Sequence, residues 1–288
     1  MSVRHLLSKA ELTQALTDAR TFEPRVLASV GSSGPQERTA DIWYLRQASA
    51  ISHAITSFEP LDPSWIERCE GWIRTANVDD TRSRARVVLA AIATVCCAGL
   101  YARCAGSQAQ LEGLVRHSAN RAEFLCRKAS STALQLIGET HPDWLCAIGN
   151  RWLDGSAALE LAVLLDVTQN DKLVKHGRVR QWGFEVCEAA IDLIEQDEKR
   201  LGKAAFHALR QALGTTPSIL THAAPADGFA MLERWADRGR LTTAKVVAAN
   251  LNKARIRREF EHEAAELAMR LEACAYDECR EPEDHDDD

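Results

Sequence analysis

With 288 residues, 46% of them hydrophobic and 26% charged, the chain has the make-up of an ordinary globular protein able to bury a sizeable core, which excludes global disorder. Its formal net charge of −6 is unevenly spread: residues 277–288 hold eight acidic side chains against Arg280 alone, a balance of −7, so the other 276 residues carry +1. The nine cysteines are odd in number and follow no secretory framework, which excludes a disulfide scaffold and points to a reducing, cytoplasmic compartment.

In chain order, the opening MSVRHLLSKAEL has too short an apolar run for a secretion signal and enters a helix through Ser8 and Glu11, a capping box. Residues 1–36 are expected to form a helical cap, closed by Gly31 to Pro35. Apolar residues then recur at helical spacing through Ile42, Leu45, Ala48, Ile51, Ile55 and Phe58. Pro60 to Pro63 break that helix, and Pro63 launches a short one carrying Trp65 and Trp72, because proline suits the first helical position. From Val87 to Ala102 runs the most apolar stretch, 16 residues between Arg86 and Arg103, short of the roughly 20 that cross a bilayer. It is read as a buried central helix, with no membrane partner. Beyond the break at Gly106 comes CRKASSTALQL (126–136), then Gly138, Pro142 with Trp144 and Trp152, and Gly155. Phe184, Cys187, Ile191 and Ile194 keep the helical spacing, and Lys203–Ala204–Ala205, Gly214, Pro225 and Trp235 follow. Ile256, Phe260, Ala264, Leu267 and Leu271 mark a closing helix. No strand alternation competes anywhere.

Several landmarks return at one period. LRQASAISHAI (45–55) is echoed by CRKASSTALQL: Arg46 and Arg127 lie 81 residues apart, as do Ala48 and Ala129, while Trp72 and Trp152 are 80 apart and Trp235 follows 83 later. A helical unit repeated at such a period cannot bury its apolar face alone, so copies stack. Two hairpins of about 40 residues per period are within the range of known helical repeats. The expected fold is all-α, a right-handed α-α superhelix of antiparallel helix hairpins over 37–276, followed by a disordered acidic tail at 277–288.

LRQASAISHAI, CRKASSTALQL and the closing AKVVAANLNKARI resemble the inner helices of HEAT repeats, in which a basic residue precedes alanine and small apolar residues. Over 40–274 the chain is similar to a bacterial-type HEAT-repeat, armadillo-type protein. The resemblance implies a solenoid that presents a concave binding face. Some members of the wider HEAT-like group resemble DNA alkylation-repair glycosylases, which grip damaged DNA in a basic, aromatic-lined groove. No residue here aligns with that group's catalytic aspartate or groove aromatics, so no catalytic residue is implied.

Trp65, Trp72, Trp144, Trp152 and Trp235 recur with the repeat and are therefore read as packing residues. Trp43 and Trp182 stand outside that register beside basic residues and are better candidates for ligand contact. Basic residues cluster at Arg82–Arg86, Arg121–Lys128, Lys172–Arg180, Lys199–Lys203 and Lys253–Arg258, and equivalent positions of stacked helices align into a stripe suited to acidic or phosphate partners. Solvated faces balanced by nearby acids are the simpler reading of most clusters. The binding surface is assigned to Arg46, Arg127, Lys128, Arg178, Arg180, Lys203, Arg255 and Arg258.

Cys96, Cys97 and Cys104 lack paired metal-ligand spacing, and the helix at His262–Glu263 lacks the second histidine of a zincin. No phosphate-binding glycine loop or nucleophile elbow is present. Glu67, Glu70, Asp79, Asp80, Asp143 and Asp154 are acidic side chains near turns without a fixed pairing. No catalytic residue, metal or cofactor is assigned. The expected function is a non-enzymatic scaffold that binds a protein on its concave face. The alternative is DNA binding related to the alkylation-repair group, and an enzyme built on a helical array is a third class.

Overall fold

Several of the prolines and glycines read as breaks end or begin helices, whereas Gly31 and Gly138 lie inside them. Pro142 and Pro225 open helices, and Gly155, at φ 96°, turns the chain where a side chain would be strained. The computed structural model describes residues 10, 14, 19–33, 38–57, 64–75, 84–103, 108–121, 123–155, 157–197 and 200–278. Every regular element among them is helical, so the all-α expectation holds. The capping box at Ser8, the break at Pro60 to Pro63, Asp79, Asp80, Arg82, Cys104 and residues 279–288 lie outside the described residues. The chain divides into two compact units, residues 1–152 and 153–288.

The first unit holds α1 (Phe22–Ser33), α2 (Arg38–Ser57), α3 (Ser64–Thr75), α4 (Arg84–Arg103), α5 (Gln108–Ala119), α6 (Phe124–Thr140) and α7 (Pro142–Leu153). Its spine is α4, apolar on every face and packed against α1, α2, α3, α5 and α6. Val87 to Ala98 are buried throughout. The repeated motif has a structural counterpart: α2 and α6, which carry its two copies, both pack on α4 and touch each other. Gly99 permits the close approach of α4 to α2, since a Cβ there would lie 2.8 Å from Ser52 Oγ and Thr56 Cγ2. Among the described residues, α4 alone is long and apolar enough to cross a membrane, and 78% of that stretch is buried inside the fold.

The second unit holds α8 (Ala158–Val167), a 3-10 turn (Leu173–Lys175), α9 (Gly177–Asp197), α10 (Lys203–Leu213), α11 (Thr216–Ala223), α12 (Pro225–Ala236), α13 (Leu241–Leu251), α14 (Ala254–Glu259) and α15 (Glu261–Glu278). Here α9 is central, touching α8, α10, α11 and α13. The faint third motif copy begins in α10 as the sequence indicates. The extra helix α11 intervenes before Pro225, so this copy spans three helices instead of a simple hairpin.

Trp65, Trp72, Trp152 and Trp235 are buried, as packing residues should be, and Trp144 is half-buried. Phe22 of α1 sits against both Trp65 (5.3 Å, edge-on) and Trp72 (5.4 Å, stacked). The ligand-contact reading of Trp182 is overturned: it is 3% exposed, inside the second unit's core on α9. Its sequence position beside Arg180 gave no hint that α9 turns the two residues to different faces. Trp43 is half-buried, its ring edge-on to Tyr44 at 5.0 Å.

Cys69, Cys96, Cys97, Cys126, Cys146 and Cys187 are free and buried. Burial pushes the Cys126 thiol up to about 11 and raises Cys187 well above its ordinary value. A hydrogen bond with Cys96, then burial, raises Cys69, and a hydrogen bond with Cys69, then burial, raises Cys97. A thiol titrating three units above the solution is a thiolate roughly one part in a thousand of the time. Iodoacetamide at about pH 8 should therefore leave Cys69, Cys97, Cys126 and Cys187 unmodified in the folded protein and label all four in denaturant. Peptide mapping by mass spectrometry reads the outcome, and rapid labelling of Cys126 in the folded chain would contradict the burial argument.

Candidate functional site

A strongly charged concavity is built around α11. That helix is pinned by side chains that take up polar groups at its buried start. Thr216 Oγ1 donates to the Leu165 carbonyl at 3.0 Å and accepts from Gln169 Nε2 at 3.1 Å. Asn250, fully buried on α13, accepts the Ser218 backbone N–H at 2.9 Å and donates to the Leu213 and Val246 carbonyls at 2.8 Å each. The result is a rigid platform, because each of these buried groups is satisfied by a different element.

Against this platform the turn at 173–175 and the start of α9 pack on one side, and α14 on the other. Leu173, Val179 and Ile256, all fully buried, anchor them. Between them lies an open groove of about 800 Å³ with Val174, Ile219, Ala223 and Ala254 as its apolar lining. Its polar lining is Lys175, Arg180, Lys253, Arg255 and Arg258, with Asp171, His222 and Glu259 among them: five cations against two carboxylates. His222 Nε2 lies 3.1 Å from Glu259 Oε1, and Arg180 Nη1 donates to the Val174 carbonyl at 3.4 Å. Lys175, Lys253, Arg255 and Arg258 have no ion-pair partner among the described residues.

Three other arginines of this unit are neutralised. Arg238 bonds Asp192 at 2.6 Å, Glu195 at 3.0 Å and Glu188 at 3.0 Å, and Arg234 bonds Glu188 at 2.8 Å. Arg270 bonds Asp237 at 2.7 Å. The groove is thus a local excess of positive charge on a nearly neutral body.

Of the eight residues assigned to the binding surface, Arg180, Arg255 and Arg258 meet in this groove. Arg178 and Lys203 are exposed near the starts of α9 and α10 in the same unit but do not line it. The other three belong to the first unit. Arg46 is exposed on α2. Arg127 Nη1 donates to the Arg121 carbonyl at 3.0 Å, tying α6 to the loop before it, and Lys128 Nζ lies 5.8 Å from the Phe124 ring centre. Arg121 is itself buried and bonded to Glu123 at 3.0 Å. Burial alone would raise the Glu123 carboxyl, but the Arg121 hydrogen bond, a backbone hydrogen bond and the charges of Arg121 and Arg127 together outweigh it and hold the group below the usual range.

Sequence reading missed the groove's contribution from α11. The bracket of Thr216–Pro217 and Pro225 around an apolar run was the available signal for that helix.

A second concavity, about 430 Å³, is lined by Tyr101, Gln108, His141, Asp143 and Trp144 among others. The nearby Glu70 is buried and saturated, accepting from Tyr101 Oη and Gln110 Nε2 at 2.5 Å each and from Arg74 at 3.2 Å. Burial and the hydrogen bond to Glu70 raise the Tyr101 phenol above its ordinary value. A carboxylate with three donors is held for structure, and among the described residues Asp143 is the one carboxylate lining this pocket. Among the described residues no three His, Cys, Asp or Glu side chains are placed to hold a metal ion. In comparisons with protein families, curated proteins and solved structures, the chain matches none.

Proposed function

We propose that this chain is a non-enzymatic, HEAT-like helical scaffold of the reducing cytoplasm, and that its second unit binds an acidic segment of a protein partner in the groove between α9, α11 and α14. The observation that carries this reading is the convergence of Lys175 and Arg180 with Lys253, Arg255 and Arg258 on one groove, none of the five with an ion-pair partner among the described residues. Unneutralised like charges held together cost free energy, which a complementary partner recovers on binding. The packing of both motif helices, α2 and α6, on α4 supports the repeat-like character of the first unit.

The groove's composition favours a peptide over a nucleic-acid backbone. Phosphates present uniform negative charge at close spacing, and Asp171 and Glu259 would oppose it. A peptide can offer carboxylates to the cations, apolar side chains to Val174 and Ile219, and donors to the two acids.

The test is fluorescence anisotropy with a labelled oligoglutamate and a labelled DNA duplex, comparing the parent with the Arg180→Glu/Arg255→Glu/Arg258→Glu variant. Oligoglutamate should bind in preference to DNA, and the reversal should weaken it on the order of a hundredfold, since each substitution replaces attraction by repulsion. Tighter binding of the duplex, with affinity falling steeply as salt rises, would instead establish the DNA-binding alternative.

A further inference from the structure

Resting on the groove reading above, we infer that the groove's first occupant is the chain's own acidic segment, residues 281–288, so that an external partner must displace it. Residues 281–288, EPEDHDDD, contain six carboxylates and no Lys or Arg. The arginines Arg234, Arg238 and Arg270 of the same unit are already bonded to carboxylates, whereas Lys175, Lys253, Arg255 and Arg258 have no carboxylate partner among the described residues. The concavity along the start of α15 holds two cations, Lys245 and Arg257, with Glu261 beside them, against the five of the groove.

Reach is also sufficient. Glu259, a groove residue, ends α14, and Phe260 alone separates it from α15. Helix α15 has 18 residues, and at about 1.5 Å per residue its far end lies at most about 27 Å from the groove's edge. The ten residues 279–288 span roughly 33 Å or more when extended. Whatever the direction of α15, the terminal aspartates can therefore return to Arg255 and Arg258. Tethering at this length gives an effective concentration on the order of millimolar, so even a weak contact is occupied.

The experiment uses the same labelled oligoglutamate on three proteins: the full chain, the chain ending at Glu278, and the full chain carrying Glu281→Gln, Glu283→Gln, Asp284→Asn, Asp286→Asn, Asp287→Asn and Asp288→Asn. The truncated and the neutralised proteins should bind the probe at least tenfold more tightly than the full chain. An unlabelled peptide copying residues 277–288 should compete on the truncated protein, and adding Arg180→Glu/Arg255→Glu/Arg258→Glu to the truncation should abolish that competition. Equal binding by all three proteins overturns the self-occupancy and leaves the groove reading standing. A gain on truncation that the neutralised protein does not share also overturns it, since bulk and not charge would be responsible. Failure of the truncated protein to bind oligoglutamate at all overturns the groove reading itself.

Discussion

Trp235→Ala is expected to destabilise the protein by roughly 3–5 kcal/mol, the usual cost of deleting a large buried aromatic ring. Trp235 is fully buried, and its Nε1 donates to Glu188 Oε2 at 2.8 Å. Glu188 also receives Arg234 and Arg238, so one carboxylate of α9 organises three side chains from α12 and the turn after it. Removing the indole opens a cavity between α9 and α12 and leaves Glu188 to be held by the arginines alone. Urea unfolding of the full chain reads the effect. Because the chain has two units, the transition assigned to residues 153–288 should move while the other stays in place.

Trp152 gives a contrast that isolates the polar part. It too is fully buried, with Arg116 5.8 Å from its ring centre, but its Nε1 has no hydrogen-bond partner among the described residues. Phenylalanine keeps most of the ring and removes the N–H in both places. Both substitutions leave a void where part of the indole was, and Trp235→Phe should cost on the order of 1 kcal/mol more than Trp152→Phe for its lost bond to a charged acceptor. Equal costs would show that the Glu188 contact adds nothing beyond packing.

This pair also shows how far the sequence could be read. The dipeptides Arg151–Trp152 and Arg234–Trp235 recur 83 residues apart, and both indoles are buried while both arginines meet a glutamate: Arg151 with Glu112 at 2.5 Å, Arg234 with Glu188 at 2.8 Å. Periodicity revealed the tryptophans because a ring filling the same gap in each copy must return at the same spacing. It did not reveal the glutamates, which lie 39 and 46 residues before their arginines because a different number of turns intervenes. Trp72 departs further, donating to Glu23 of α1, a helix the repeat did not include.

The groove was half legible for a related reason. Charge clusters at Lys172–Arg180 and Lys253–Arg258 stand out in one dimension, and a solvated face was the simpler account of each. What joins them is α11, a helix of eight residues whose apolar side chains carry no periodic signature strong enough to place it. Its position is set by buried polar contacts, Thr216 to Leu165 and Asn250 to Ser218, which link residues 51 and 32 apart in sequence. Such long-range bonds leave no trace in local spacing. Trp182 failed for the opposite reason: its basic neighbours in sequence point elsewhere once wound onto α9, whose buried face includes Val179, Trp182, Val186 and Ala190.

Gly228→Ala is expected to cost roughly 3 kcal/mol, and to weaken oligoglutamate binding as well. The chain passes from α11 to α12 through Ala224 alone, so the two helices are forced together at once. A Cβ on Gly228 would lie 2.3 Å from Thr221 Cα, 2.5 Å from its Oγ1 and 2.6 Å from its Cβ. Because one of those atoms is backbone, no rotamer change relieves the overlap, and α11 must move away from α12. Overpacking of this kind typically costs about 1–3 kcal/mol, with backbone clashes at the upper end. The displaced helix is also the one that presents Ile219, His222 and Ala223 to the groove, so strain and binding are coupled through the same movement. Gly71→Ala and Gly113→Ala are the matched controls. Both lie inside helices, with nothing within 4 Å of the added carbon, and each should stabilise by up to about 1 kcal/mol through helix propensity. The same chemical change therefore has opposite signs at these sites. If Gly228→Ala unfolds at the parent's urea midpoint, α11 and α12 do not cross as closely as their shared residue Ala224 requires, and the platform beneath the cationic groove is looser than its hydrogen bonds imply.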